Sequence, residues 1–515
     1  MNLETIIGLE IHIQIKTKSK MFCSCSNSGE NSPRFGEAGE PANTTVCPIC
    51  LGHPGTLPVA NKQAVEMGAL MALALNCEIN KTSVWARKSY FYPDLPKGYQ
   101  ISQFDLPLAV EGHLTIINHN GEKRFGIERL HLEEDAAKNF HSKEATLVDY
   151  NRGGTPLMEI VTKPDFRTPE DAKLFLQELR LLARYLKVSE ADMEKGHLRC
   201  DANISLRPIL SGAEGSIGEE KLYPKTEIKN LNSFKSVEKA LTYEIKRQTG
   251  LWELGTPPMI QSTRGWDENK LETVSQRDKE ESADYRYFNE PDLPPLLFNE
   301  EEIRRLQARM PELPRAKRLR FEEEYQLNSV DARMLVEDEA VAGYFEAVIS
   351  EAREWLEENA NTEGVSEEIW QLNRQRLSKL VFGWLTSELF KLMNETGLTI
   401  LDIKINPENF AEFIVLLYQK KFNSSAGQLI LRKMFETGGD PEHIMEEEDL
   451  IQVDDTSELE KAVARIINEN PEQAAEYKKG KTPLLKFFIG LGMKEMKGKS
   501  DPEKLGELFR QKLGE

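Results

Sequence analysis

The stretch Gly8-Leu9-Glu10-Ile11-His12-Ile13-Gln14-Ile15 alternates apolar and polar residues without interruption. Successive side chains of a β-strand point to opposite faces of a sheet, so this alternation predicts a strand with one aliphatic and one polar face. The polar face would carry Glu10 and His12, whose side chains can bind metal ions or transfer protons. We therefore expect one face of this strand to join the core and the other to carry functional groups.

The first 290 or so residues combine further strand signals with inserted helices. Residues 198–206, Leu-Arg-Cys-Asp-Ala-Asn-Ile-Ser-Leu, alternate again and predict a second half-buried strand. A helix start is predicted at Thr168, because Pro169 and Asp171 follow at positions typical of a first helical turn. The sequence therefore predicts the α+β class, with a mixed α/β domain over residues 1–292.

Two helical regions are predicted after the proline-rich run at 291–295. Residues 293–403 are charged, their clearest helix starts at Ser366, and Gly397 is expected to stop it. The rest of the chain repeats one helix-start signature, an N-cap residue followed by proline, at Asn406-Pro407, Asp440-Pro441, Asn470-Pro471 and Asp501-Pro502. We expect an all-α connector domain (293–403) followed by a small all-α tail domain (404–515).

The composition argues against several classes of protein. The chain has 515 residues, of which 39% are hydrophobic, and its net charge of −19 argues against a protein that coats nucleic acid non-specifically. No run approaches the roughly 18 apolar residues of a membrane span, and the first residues lack the pattern of a secretory signal. Six cysteines are too few for a disulfide scaffold here, so we expect a cytoplasmic protein that does not bind membranes.

A local basic stretch near the C-terminus departs from this acidic balance. Residues 478–515 contain ten Lys or Arg against five acidic residues. Such a stretch can bind the phosphates of a nucleic acid, or it can be the solvated face of a helix. The candidate nucleic-acid contacts in it are Lys478, Lys479, Lys481, Lys486, Lys494, Lys497 and Lys499.

Four of the six cysteines form two close pairs, Cys23-x-Cys25 and Cys47-Pro-Ile-Cys50. Two such pairs, joined by a 21-residue loop, can converge on one tetrahedral Zn²⁺. Four thiolate ligands leave no position for water, so this zinc would be structural. The alternative is four unligated thiols in a loop. Cys77 and Cys200 lack close partners in the sequence and are expected in the core.

A second cluster combines acids and histidines on strand-like segments. Glu10 and His12 share a face, and the segment His131-Leu-Glu133-Glu134-Asp135 is dense in potential ligands. Glu159 stands alone among apolar neighbours, where an unpaired carboxylate is costly to bury. Several carboxylates with an imidazole suit Mg²⁺. The alternative is a set of surface acids and ion pairs, because no sequence rule brings these strands together.

The sequence contains no nucleotide-binding loop of the Walker type. Residues 492–500, GMKEMKGKS, place five residues between the glycines where four are required. Cations and aromatic residues interleave at 87–100, and such a run can hold phosphates and stack a base. Equally, Tyr90, Phe91 and Tyr92 can form a strand that packs into the core. Because a Walker-type loop is absent from the sequence, any ATP must be bound by another kind of site.

Over its whole length the chain resembles the B subunits of the bacterial glutamyl-tRNA(Gln)/aspartyl-tRNA(Asn) amidotransferases, the GatB/GatE family. The segments that carry the resemblance are Ile7-Gly-Leu-Glu-Ile-His12, Tyr90-Phe-Tyr-Pro-Asp94, Lys97-Gly-Tyr-Gln-Ile-Ser-Gln-Phe104, His131-Leu-Glu-Glu-Asp135, Asp149-Tyr-Asn-Arg152 with Gly154-Thr-Pro156, Leu198-Arg-Cys-Asp-Ala-Asn203, Glu227-Ile-Lys-Asn-Leu-Asn-Ser-Phe234 and Asp284-Tyr-Arg-Tyr-Phe288. The resemblance implies a cradle-like mixed α/β catalytic domain and a tail that contacts tRNA.

The resemblance further implies an enzyme that works with two other subunits. An amidase-type A subunit releases ammonia from glutamine, and a small C subunit holds A and B together. The B subunit uses ATP to phosphorylate the side-chain carboxylate of Glu-tRNA(Gln) or Asp-tRNA(Asn), and ammonia then displaces the phosphate. Lys88 and Lys97 match family lysines on the polar path of this ammonia. The alternative function is a tRNA-binding scaffold without chemistry of its own.

The resemblance also implies a set of metal ligands. Mg²⁺ would be held by His12, Glu134 and Glu159. Glu10 and Asp201 would line the same pocket. Strand alternation instead favours Glu133, which shares a face with His131, so both glutamates remain candidates. The cysteine quartet matches some members of the family but not all, as expected of a structural zinc site.

Overall fold

The computed structural model describes residues 2–27, 41–142, 144–209, 222–279, 284–359, 366–450, 456–496, 500 and 502–514. The chain forms two compact units, Met1–Leu313 and Pro314–Glu515. Every strand that the described residues form lies in the first unit, and the second is helical. The predicted α+β class with a helical C-terminal region is confirmed. The finer division into a connector and a tail stays a prediction.

The first unit is built on a nine-stranded sheet. In chain order the strands of the unit are β1 (Leu3–Gln14), β2 (Glu78–Ile79), β3 (Thr82–Ser83), β4 (Ala86–Ser89), β5 (Tyr99–Ser102), β6 (Ala109–Asn118), β7 (Gly121–Glu134), β8 (Lys138–His141), β9 (Thr146–Asp149), β10 (Pro156–Thr162), β11 (Leu198–Pro208), β12 (Thr226–Leu231), β13 (Gln261–Asp267), β14 (Glu272–Lys279), β15 (Phe288–Asn289) and β16 (Leu296–Leu297). The main sheet has the order β14-β13-β12-β11-β1-β10-β7-β6-β2, so the first strand of the chain lies at its centre. Its strand pairs are antiparallel, except that β12 and β13 run parallel.

Helices cover the apolar face of this sheet. Those of the first unit are α1 (Lys62–Ala74), α2 (Pro169–Tyr185), α3 (Phe234–Glu253) and α4 (Glu300–Ala308). The aliphatic residues of β1, such as Ile11, join one buried cluster with Phe175 of α2 and Val237 of α3. The predicted start of α2 is confirmed, because the Thr168 hydroxyl accepts a hydrogen bond from the Asp171 backbone N–H at 3.1 Å. Since the helices take the apolar face, the polar side chains of β1 point away from this core.

The second unit is a set of mostly short helices. They are α5 (Pro314–Glu324), α6 (Ser329–Val336), α7 (Glu339–Asn359), α8 (Ser366–Gly383), a π-helical segment (Trp384–Leu389), α9 (Phe390–Thr396), α10 (Pro407–Tyr418), α11 (Ser424–Thr437), α12 (Pro441–Glu447), α13 (Thr456–Glu469), α14 (Pro471–Lys478), α15 (Leu484–Glu495) and α16 (Pro502–Leu513). The predicted start at Ser366 and the left-handed stop at Gly397, with φ of 72°, are confirmed. The π-helical segment between them was not predicted.

The four proline-marked helix starts also appear in the structure. The side chains of Asn406 and Asp440 cap α10 and α12 by accepting backbone hydrogen bonds. Asn470 precedes α14 without a side-chain cap, and Asp501 lies outside the described residues. None of the described helices combines the length and apolar character that a membrane crossing needs.

Candidate functional site

Strand register brings four ionisable side chains together on the polar face of the main sheet. His12 of β1 lies opposite Glu159 of β10, and Glu159 in turn lies opposite His131 of β7. Glu133 follows His131 by two residues and therefore points to the same face. Three strands distant in the chain thus place two imidazoles and two carboxylates side by side. We call these four residues the His–Glu group.

The side chains of the His–Glu group are within reach of one another. Nε2 of His12 lies 3.3 Å from Glu159 Oε2 and 3.7 Å from Glu133 Oε1. Nε2 of His131 lies 3.3 Å from Glu159 Oε2 and 3.7 Å from Glu133 Oε2. Both glutamates are buried, so their negative charges depend on these neighbours for compensation.

The imidazoles and carboxylates stabilise each other's charged forms. Burial by itself lowers the pKa of His131, but the charges of Glu159 and Glu133 outweigh it and raise this pKa to about 9. The pKa of His12 is raised by the same two partners against the effect of burial. Burial by itself raises the pKa of Glu159, yet the positive charge of His131 and hydrogen bonds from both imidazoles hold it well below its usual value. Protonated imidazoles therefore supply the positive charge that the buried carboxylates require.

The His–Glu group also fits a divalent cation. One ligand atom each from His12, Glu133 and Glu159 can be chosen so that all lie within 4.8 Å of one another. Two carboxylates and one imidazole are suitable donors for Mg²⁺, which usually keeps further positions for water or phosphate. A dication would take over the compensating role of the protonated imidazoles. These three residues are therefore the candidate magnesium ligands.

The structure does not bring Glu134 into this group, contrary to the ligand set that the family resemblance implies. Glu134 follows Glu133 directly along β7, so its side chain points to the other face of the sheet. There its carboxylate accepts hydrogen bonds from the Lys97 ammonium and, at 3.0 Å, from the Ile101 backbone N–H. Glu133 stands in its place beside His12, as strand alternation favours.

Glu10 and Asp201 lie beside the His–Glu group on the same face of the sheet. They face each other across β1 and β11, and each carboxylate has a lysine partner. Lys225 lies 3.5 Å from Glu10, which also accepts a hydrogen bond from Asn203 at 2.8 Å. Lys229 lies 2.7 Å from Asp201. The structure therefore places both acids near the group but outside its set of close contacts.

A cleft opens at the Glu10 end of this face. Its volume is about 900 Å³, and its lining includes Gly8, Glu10, Thr162, Asn203, Tyr223 and Lys225. Glu10 precedes His12 by two residues on the same strand face, so the cleft lies next to the His–Glu group. A ligand in the cleft can reach the candidate metal ligands without crossing the sheet.

The two lysines predicted on an ammonia path lie beside different glutamates. Lys88 of β4 is near the His–Glu group: burial by itself lowers its pKa, but the charge of Glu133 raises it overall. Lys97 instead binds Glu134 on the other side of β7. Near the C-terminal end of β7, Lys88 therefore lies on the face of Glu133 and Lys97 lies on the face of Glu134.

The aromatic residues between these lysines are not a core strand. Phe91 is 83% exposed and Tyr92 is 52% exposed, in the loop between β4 and β5. The core-strand alternative for this segment is therefore wrong for these two residues. A different aromatic segment faces the site: the ring of Tyr285 lies 4.9 Å from the Lys88 ammonium. The sequence marks Tyr285 as part of a family motif, but no local pattern predicts its contact.

The cysteine quartet converges as the spacing predicts. The Sγ atoms of Cys23, Cys25, Cys47 and Cys50 lie within 4.8 Å of one another. A hydrogen bond from the Cys23 thiol lowers the pKa of Cys50 to about 4, and the nearby Lys20 charge contributes in the same direction. Four close sulfurs, one of them readily ionised, fit the ligand set of a structural zinc ion. Cys77 and Cys200 are buried, as expected.

The cysteine loop packs directly against Lys97. A Cβ atom added to Gly52, two residues after Cys50, would lie 2.6 Å from Cγ of Lys97. Gly52 also has φ of +68°, a conformation that other residues rarely adopt. A zinc ion that orders this loop would therefore also help to position Lys97 and its partner Glu134.

The candidate nucleic-acid contacts of the tail fall in two groups. Lys478, Lys479, Lys481, Lys486 and Lys494 are exposed at or between α14 and α15. Lys481 lies 3.0 Å from Glu476, so part of its charge is compensated. Lys497 and Lys499 lie outside the described residues.

Comparison with known proteins adds two family matches. A GatB/GatE catalytic domain model matches residues 5–304, and a GatB domain model matches residues 367–513. Similar curated proteins are each named as the B subunit of an aspartyl/glutamyl-tRNA(Asn/Gln) amidotransferase. The protein of Thermomicrobium roseum is 44% identical over 100% of this chain and 99% of its own length. Those of Carboxydothermus hydrogenoformans and Persephonella marina are both 43% identical, over 99% and 100% of this chain and 98% and 100% of their own lengths.

We expect the purified protein to contain about one zinc ion per chain, bound by the cysteine quartet. Cys25→Ser should lower the zinc content and the midpoint of thermal unfolding, because a ligand that organises the loop is lost. Cys77→Ala, which removes a thiol outside the quartet, should leave the zinc content unchanged. Metal analysis and thiol titration check this expectation. Freely reactive quartet thiols in zinc-supplemented protein would instead support the unligated alternative.

The raised pKa of His131 predicts a pH-dependent contribution to stability without added Mg²⁺. Its pKa is about 9 in the folded protein and 6.5 in the unfolded chain, so the folded state binds the proton more tightly. The stabilisation is fully present below about pH 6.5 and is lost as the pH rises through about 9. The difference in unfolding temperature between wild type and His131→Gln should therefore shrink between these pH values. A difference that stays constant would contradict the assignment.

Proposed function

The chain belongs to the GatB/GatE family, and from this premise we propose that it is the B subunit of an amidotransferase that acts on Glu-tRNA(Gln) and Asp-tRNA(Asn). The matched domain models and the names of the relatives support this proposal. The name of the relatives also implies further subunits. We propose an amidase-type A subunit that supplies ammonia and a small C subunit that holds A and B together.

The proposed reaction has two steps. An oxygen of the substrate's side-chain carboxylate attacks the γ-phosphorus of ATP, and the bond to the bridging oxygen breaks to release ADP. Ammonia then attacks the carbonyl carbon of the acyl phosphate. The carbon–oxygen bond to phosphate breaks, phosphate leaves with the electron pair, and the nitrogen loses a proton to give the amide.

The observation that carries the proposal is the convergence of the His–Glu group. Transfer of a phosphoryl group to a carboxylate brings two anions together, and a divalent cation supplies the neutralising charge. His12, Glu133 and Glu159 are the residues proposed to hold Mg²⁺. His131 would orient both glutamates from the opposite side, because its Nε2 lies 3.3 Å from Glu159 and 3.7 Å from Glu133.

We further propose that ATP enters through the cleft beside Glu10. The volume of about 900 Å³ accommodates a nucleotide, and Lys225 brings a positive charge to its wall. The position of Glu10, two residues before His12, would direct the phosphates towards the His–Glu group. The nucleotide would thus be bound on the face of an antiparallel sheet and not by a glycine-rich loop.

Ammonia is proposed to approach past Lys97 and Lys88. An ammonia route needs polar walls that exclude bulk water, because NH₃ must arrive unprotonated. The pair of Lys97 with Glu134 is largely buried and satisfies both charges within the protein. Lys88 then lies beside Glu133, where the acyl phosphate would form.

The exposed lysines of the tail support the second proposed role, contact with tRNA. Exposed lysines bind phosphates by charge and without sequence preference. This contact alone would also be expected of a scaffold without chemistry. The buried His–Glu group favours the enzyme, because a scaffold has no need for two carboxylates buried beside two histidines.

We expect Glu159→Gln and Glu133→Gln to reduce ATP-dependent amidation of Glu-tRNA(Gln) by roughly 10²–10³-fold in the assembled enzyme. The amide cannot supply the negative charge that a cation requires. Glutaminase activity should be retained, since ammonia release is assigned to another subunit. Glu122→Gln, which changes an exposed carboxylate on β7, the strand of Glu133, is the matched control. Glu134→Gln should preserve ADP formation but lower its coupling to amidation.

The same experiment separates the two candidate functions. A scaffold predicts that both glutamine variants keep normal ATP-dependent amidation while removal of the tail abolishes it. Full activity of Glu159→Gln with normal glutaminase activity would therefore refute the proposed catalytic role of the His–Glu group.

A further inference from the structure

Arg199 is the positively charged side chain nearest to His12 on β11. The two residues lie directly opposite each other in the antiparallel pair, so their side chains share the polar face of the sheet. The two neighbours of β1 in the sheet are β10 and β11. His12 therefore lies between Glu159 on one side and Arg199 on the other. Neither the family resemblance nor the proposed metal site gives this residue a role.

The guanidinium of Arg199 uses only part of its hydrogen-bonding capacity within the described chain. Its Nη2 donates to Oδ2 of Asp135 at 2.7 Å. Its Nε is buried and has no hydrogen-bond acceptor among the described residues. A guanidinium carries five N–H donors in a planar fork, and a buried donor without an acceptor costs free energy. The Arg199 side chain is nevertheless 41% exposed, so its remaining N–H donors can reach an anion on the polar face of the sheet.

Asp135 holds the guanidinium of Arg199 in place. It is buried, and it also accepts a hydrogen bond from Gln14 at 3.1 Å and lies 3.7 Å from Nε of Arg152. These contacts fix the position of the Asp135 carboxylate, and its hydrogen bond to Nη2 anchors one edge of the Arg199 guanidinium.

Three polar positions follow one another along β1. Glu10 lies at the cleft, His12 in the His–Glu group, and Gln14 at the pair formed by Asp135 and Arg199. If ATP enters through the cleft, its γ-phosphate reaches His12 from the Glu10 end. In-line transfer places the attacking oxygen on the far side of the phosphorus from the leaving group. The acceptor carboxylate should therefore lie towards the Gln14 end, where the anchored arginine is.

We infer that Arg199 binds the side-chain carboxylate of the aminoacyl group on tRNA and then the oxygens of the acyl phosphate made from it. This inference rests on the proposed function. The planar fork matches the two oxygens of a carboxylate, and arginine stays protonated throughout the reaction. Arg199 transfers no proton; it orients the nucleophilic oxygen and stabilises the charge that develops on the acyl phosphate.

The test compares Arg199→Ala, Arg199→Lys and wild type in the assembled enzyme. We expect Arg199→Ala to lower kcat/KM for Glu-tRNA(Gln) about 100-fold, which is the order expected for the loss of a charged donor to the reacting group. The KM for ATP, the affinity for uncharged tRNA and the glutaminase activity should stay within about twofold of wild type. Arg199→Lys keeps the charge but not the fork and should recover only part of the loss.

Two further measurements separate substrate binding from support of Asp135. Guanidinium ions added in solution should restore part of the activity of Arg199→Ala, because they can occupy the vacated fork position. Asp135→Asn, which keeps Arg199 but weakens its anchor, should lose less activity than Arg199→Ala. If Asp135→Asn loses as much activity as Arg199→Ala, and guanidinium ions do not restore the activity of Arg199→Ala, then Arg199 has a structural role only.

The role of Arg199 can be refuted while the proposed function stands. If Glu159→Gln is inactive but Arg199→Ala keeps the wild-type kcat/KM for Glu-tRNA(Gln), only the role of Arg199 is refuted. An increase confined to the KM for ATP would likewise overturn its assignment to the acceptor carboxylate. If Glu159→Gln itself remains active, the proposed chemistry fails instead.

Discussion

The antiparallel register of β7, β10 and β1 is the constraint on which the proposed chemistry depends. It places His131, Glu159 and His12 in one row across three strands, and the two-residue period adds Glu133 on the same face. The buried carboxylates are tolerated because the imidazoles lie 3.3–3.7 Å away and take up protons. A shift of one strand by a single residue would turn these side chains to the apolar face and leave the charges without partners.

The two faces of the main sheet differ: one belongs to the core and the other carries the candidate functional site. Its aliphatic face packs against helices in the main core. Its polar face carries three features in order along β1: the cleft at Glu10, the His–Glu group at His12, and the Asp135–Arg199 pair near Gln14. Glu134 and the cysteine loop belong to the other side of β7, where Lys97 and Gly52 are in contact. The proposed ammonia route thus starts at Lys97 on one side of this strand and ends at Lys88 on the other side, where phosphoryl transfer is proposed.

Local patterns predict the strands and helix caps well, because they reflect the chain's own periodicity. The alternation at Gly8–Ile15 predicts β1 and its faces, and alternation within β7 correctly favours Glu133 over Glu134 for the side of His131. Contacts between strands cannot be predicted in this way: the Leu9 backbone N–H donates a hydrogen bond to the side-chain hydroxyl of Thr162, 153 residues away, and no local pattern specifies that partner. For the same reason the Arg199–Asp135 pair and the contact between Gly52 and Lys97 emerge only from the fold. The exposure of Phe91 and Tyr92 shows that an aromatic run can look like core and yet lie on the surface.

The most direct test of the central claim is a crystal structure of the assembled enzyme with Mn²⁺ and a non-hydrolysable ATP analogue, in which anomalous scattering locates the ion. We expect one Mn²⁺ bound by Nε2 of His12 and by the carboxylates of Glu133 and Glu159, with the nucleotide in the cleft beside Glu10. An ion bound at Glu134, or a bound nucleotide with His12 still paired to Glu159 and the metal elsewhere, would contradict the account.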